Sequence, residues 1–125
     1  MSPQLQALDP VYLADIFDAG GEPLLRDVVE TFLADVPRRL RTMQESLAAA
    51  DWDGAALAAH AMVSGSSMLG LMAVAAAARR IEQVLYERRP PPRPDLEALE
   101  AAVAEARGML ATAVSGLVTG SGRTP

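Results

Sequence analysis

The 125-residue chain has a single histidine, His60, within the stretch LAAHAMVSGSSMLG. An imidazole can ligate a metal, move a proton or attack an electrophile. Metal binding has little support: there is no cysteine, one histidine cannot build a zinc site, and the Asp and Glu residues show no calcium-loop spacing. Ser64 and Ser67 follow His60 by one and two helical turns, so a serine hydrolase comes to mind. Helical serines, however, lack the strained nucleophile turn and an evident oxyanion hole. The remaining chemistry is nucleophilic attack by the ring on phosphorus. Ser64 and Ser67 are small enough to let a partner approach closely, and their hydroxyls can hydrogen-bond phosphoryl oxygens. The bland competitor is an ordinary polar residue on a helix surface.

A rigid platform is needed for such a ring, and the rest of the sequence supplies helices. Half the residues are hydrophobic, only 4 % are aromatic, and alanine and leucine dominate without alternating β-branched runs. Asp9 and Pro10 read as N-cap and first residue of a short helix that Gly20 and Gly21 stop. Pro23 opens a long helix with an apolar stripe of Leu25, Val29, Phe32, Val36, Leu40, Met43 and Leu47. Pro37 lies inside it and predicts a bend, with the helix continuing.

The next helix runs from about Trp52 towards Gly70, capped or charged by Asp51 or Asp53. Ala55, Ala59, Met62, Ser66 and Leu69 form its inward seam, while His60, Val63, Ser64 and Ser67 are expected on another, outer face. After Gly70 a third stripe follows at Leu71, Val74, Ala78, Ile81 and Leu85, with Arg79, Arg80, Glu82, Arg88 and Arg89 expected outside it. Pro90–Pro94 reads as an extended linker and Asp95 as a cap. The last helix has its seam at Leu96, Leu99, Val103, Ala106, Leu110, Ala113 and Leu117. The expected fold is all-α: an antiparallel four-helix bundle with a short additional N-terminal helix, over residues 1–119, and a flexible tail at 120–125.

His60, Ser64, Gly65, Ser66, Ser67, Leu69 and Gly70 resemble the signature helix of histidine-containing phosphotransfer (HPt) domains. The resemblance spans about 75 residues. It takes in Leu8 and Asp9, the PLLRDVVETFLADVP helix with Phe32, the Asp51–Trp52 pair, and the IEQ segment at Ile81–Gln83. It implies a bundle that relays phosphoryl groups between receiver-domain aspartates, with His60 the phosphorylated residue. The partners implied are response-regulator receivers and a hybrid sensor kinase. The chain itself would be a carrier rather than an independent enzyme, needing no cofactor, with Mg2+ belonging to the receiver.

Two positions depart from the family pattern, which typically has lysine three residues after the histidine and glycine four after it. Here they are Val63 and Ser64, so the usual local cation is missing. Val63, read as exposed, is expected to join Ser64 and Ser67 in binding the partner. Arg79 or Arg80 is a candidate source of charge from the neighbouring helix. An adaptor that docks without relaying phosphate is the alternative reading.

The net charge of −5 argues against nucleic acid as a partner. The N-terminus has no secretory pattern, and the longest apolar run, Met68–Ala78, is too short for a bilayer. A cytoplasmic monomer is the expectation.

Overall fold

Asp9 caps the first helix with its own side chain, Oδ1 accepting from the Val11 amide at 3.1 Å, and Pro10 takes the first helical position. In the computed structural model, which describes residues 7–122, four elements follow: α1 (Pro10–Ala48), α2 (Trp52–Met68), α3 (Met72–Tyr86) and α4 (Arg93–Gly122). Within α1 the backbone leaves the helical region at Gly21, where φ is 72° and ψ −166°. That conformation suits glycine alone, so the break divides α1 into the expected short helix and the long one. At Pro37 the helical dihedrals are unbroken, and α1 continues as its apolar phase requires.

Each helix packs on its chain neighbours, and α4 closes the ring against α1. The pairings run antiparallel. Arg88 meets Asp53 and Glu82 meets His60 across α2 and α3, while Gln44 meets Glu100 across α1 and α4. The core contains Leu13, Leu25, Met43, Met62, Leu69, Leu71, Ile81, Leu85, Leu99 and Leu110, all essentially inaccessible. Burying each such side chain is worth about 1.5–3 kcal/mol.

The turn between α2 and α3 is held from outside by the N-terminal segment. The Asp9 amide donates to the Gly70 carbonyl at 2.7 Å, and the Ala73 amide to that of Ala7 at 3.3 Å. Gly70 sits at φ 74°, with the Asp9 carbonyl and the Tyr12 ring where a side chain would go. A tight, pinned turn therefore fixes α3 against α2 just beyond the histidine helix.

Several expectations are corrected at the C-terminal end. The extended linker is shorter than Pro90–Pro94, because α4 begins at Arg93 and its first turn hangs from the Pro92 carbonyl. Proline tolerates the first turn of a helix, where its missing amide is no loss. Asp95 then lies within that first turn, favourable towards the helix dipole. The segment expected as a tail from Gly120 instead continues α4 to Gly122, and residues 123–125 lie outside the described ones. By length and composition alone the Arg93–Gly120 stretch is long and apolar enough to cross a bilayer. In the bundle it turns Leu99, Ala102, Ala106, Leu110 and Val114 into the core.

Candidate functional site

Asp51 starts the histidine helix by accepting the Gly54 amide at 3.0 Å, and Asp53 in the first turn complements the dipole. The expected seam of Ala55, Ala59, Met62, Ser66 and Leu69 is buried throughout. On the opposite side His60 and Ser64 are exposed and Ser67 is half-buried. The His60 side chain keeps 60 % of its surface accessible, enough for a partner to reach the ring.

Val63 is not on that face. It is 8 % exposed and belongs to the core, which corrects its expected role as an exposed partner contact. Successive helical residues turn by about 100°, so the third residue after His60 falls back about 60° into the seam, whereas the fourth moves about 40° outwards. An apolar side chain at the third position follows that seam into the core.

Glu82 was expected outside its stripe, and the structure buries it to 8 %. Its Oε2 lies 2.7 Å from His60 Nδ1 and accepts the Tyr86 hydroxyl at 2.6 Å. A glutamate between Ile81 and Gln83 on an alanine-rich helix reads as a solvent-facing charge, and the partner that justifies its burial lies 22 positions away. The available signal was a register argument. If α2 and α3 form a short-turn antiparallel hairpin about Gly70–Leu71, residues at similar distances from the turn lie level, and Glu82 falls near His60.

The pairing dictates the chemistry of the ring. A carboxylate only accepts, so the imidazole proton is placed on Nδ1 and the Nε2 lone pair is left free. Glu82 also stabilises positive charge that develops on the ring. Next to it, Tyr86 is raised above the ordinary phenol value, first by its hydrogen bond to Glu82 and further by desolvation and the same negative charge. The hydroxyl therefore remains a donor throughout the neutral range. Among the described residues no three His, Cys, Asp or Glu side chains gather as a metal site.

The register also places the nearby cations. Arg79 lies one turn before Glu82 on α3, level with Val63 across the seam. It borders the shallow depression it shares with Glu82, Gln83, Tyr86 and Glu87. Arg80 instead faces α4, with Nε 3.9 Å from Asp95.

Residues 27–112 match the model of the Hpt domain. The chain belongs to the Hpt domain family. Histidine phosphotransfer in a two-component phosphorelay is accordingly its function, and receiver domains and kinases are the partners of such domains. The fold of this Hpt domain is also similar to the crystal structure of histidine-containing phosphotransfer protein B from Pseudomonas aeruginosa PAO1. That match has a TM-score of 0.64 and 22 % identity, with all of both chains covered. No curated protein matches this chain.

Proposed function

We propose that His60 is the residue that carries the phosphoryl group. Its Nε2 lone pair attacks the phosphorus of a receiver's aspartyl phosphate, forming the N–P bond as the P–O bond breaks. The electron pair returns to the aspartate carboxylate. The Nδ1 proton stays in place, and the resulting ring cation faces Glu82. Reversal onto a second receiver completes the relay. The single observation that carries this reading is the ring's arrangement: exposed at 60 % on its outer side and held at Nδ1 by a buried carboxylate.

Ser64 and Ser67 frame the approach as small polar partner contacts. Arg79 supplies the positive charge that Val63 does not, since it lies level with that position and Arg80 is turned towards Asp95. The domain acts as a carrier and not as an independent enzyme, because positioning does most of the work in phosphoryl transfer and the Mg2+ is supplied by the receiver. We place it in the cytoplasm as a monomer, with no nucleic acid or membrane among its partners.

The test is incubation with a panel of phosphorylated receiver domains. Wild-type protein should acquire acid-labile label, and His60→Ala should acquire none. Glu82→Gln should slow labelling by about tenfold or more, the loss of one charge-assisted interaction at the reacting group. Absence of label on the wild type with every receiver would overturn the assignment.

A further inference from the structure

Glu82 is a costly residue to bury, and two donors converge on one of its oxygens. His60 and Tyr86 share Oε2 at 2.7 and 2.6 Å. Tyr86 is 66 % exposed, so its ring adds little to the core, yet its hydroxyl is spent on this carboxylate. The contact is built into α3, because residues four apart lie on one helix face and the phenol reaches back over the preceding turn.

We infer that Tyr86 is a positioning residue of the phosphotransfer site, one that holds Glu82 and restrains its pull on His60. The inference rests on His60 as the phosphoryl carrier. A carboxylate oxygen that accepts two hydrogen bonds has part of its charge neutralised by each donor, so the bond to His60 Nδ1 is weaker than it would be alone. Forming the N–P bond leaves the ring positively charged with its Nδ1 proton retained, and Glu82 stabilises that product more than it stabilises the neutral ring. By drawing on the same oxygen, the Tyr86 hydroxyl keeps phosphorylated His60 from becoming too stable to pass its group on. The surrounding charges do not take over this task. Arg79 and Glu87 border the depression beside Tyr86, with no hydrogen bond from either to Glu82 among the described residues.

Tyr86→Phe keeps the exposed ring and removes only the donor. In the unphosphorylated protein the His60 Nδ1 proton resonance should move downfield, as the bond to Glu82 strengthens. With one fixed receiver, the phosphoryl equilibrium should move towards His60 by about two- to fivefold. In a Glu82→Gln background, where there is no carboxylate charge to share, Tyr86→Phe should leave that equilibrium unmoved. An unchanged Nδ1 resonance and equilibrium would overturn the inference. So would an equal effect of Tyr86→Phe in the Gln background, since the tyrosine would then act by docking and not through Glu82. The resonance is read without any phosphate, so the tyrosine's role is decided there even if wild-type His60 takes no label, an outcome that overturns the carrier assignment alone.

Discussion

In the hairpin of α2 and α3, seven of 17 residues and seven of 15 are buried, and half of them are alanine. In α4, among the described residues, only Leu99, Ala102, Ala106, Leu110 and Val114 are buried, spaced along one seam. The difference is one of purpose. Small residues let two helix backbones approach closely, so a side chain on one can reach a defined atom on the other. His60 and Glu82 meet at 2.7 Å on such a pair. The long helix closes the bundle with larger, more widely spaced side chains and brings no group to the histidine. Precision at the site thus comes from the hairpin, and closure of the core from α4.

The largest effect should follow from loosening the hairpin's turn. Gly70 has φ 74°, and an added Cβ would meet the Asp9 carbonyl and come within 3.0 Å of the Tyr12 ring. Gly70→Ala should cost roughly 2–4 kcal/mol, combining left-handed strain with loss of the Asp9 contact. Chemical denaturation measures it. A loss below about 0.5 kcal/mol, the range of an ordinary surface change, would show that the turn does not fix α3 against α2.

A smaller pair of substitutions addresses the contrast itself. Ala59 is completely buried in the histidine helix, whereas Ala104 is exposed on α4. Ala59→Leu should destabilise by about 1–3 kcal/mol through overpacking, while Ala104→Leu should stay within about 0.5 kcal/mol. Thermal unfolding of both variants gives the comparison. Equal shifts would mean that the space around Ala59 in the hairpin is not closely packed.

Much of this division was legible in the sequence. Ala55, Ala59, Met62, Ser66 and Leu69 follow one helical period, and so do Leu71, Val74, Ala78, Ile81 and Leu85; every one of them is buried. His60 stood out by being alone, and its exposure follows from its place opposite that seam. Two residues of the site were misplaced because a periodic pattern records only the average direction of a face. Val63 lies at the boundary, where a rotation of about 60° decides between core and surface. Glu82 looked like a surface charge because burial of a carboxylate depends on donors from another turn and another helix, which no local pattern contains. The end of α4 was set too early at Gly120, since a glycine permits a helix to stop without requiring it to.

The smallest effect belongs to Asp35 on α1, which accepts from Arg39 Nε at 3.0 Å and also pairs with Arg38. Burial pushes the Asp35 carboxyl up, but the hydrogen bond and charge of Arg39, joined by those of Arg38, outweigh it, and the net result lies below the ordinary value of 3.8. A carboxyl lowered by folding stabilises the folded state where it is ionised in both states. Its contribution is therefore complete above the unfolded value and disappears as the pH falls through the lower, folded one. The Asp35 side chain retains a third of its exposure, so water and salt screen the pairs, and the contribution is on the order of a few tenths of a kcal/mol. Asp35→Asn should reduce stability by that amount at pH 7, and the gap from wild type should close below pH 3.8. The same substitution should leave transfer to His60 unchanged, because these pairs are local to α1 and do not involve the Glu82 contact across α2 and α3. If Asp35→Asn instead altered transfer as strongly as Glu82→Gln, the separation between the hairpin that sets the site and the helices that enclose it would fail.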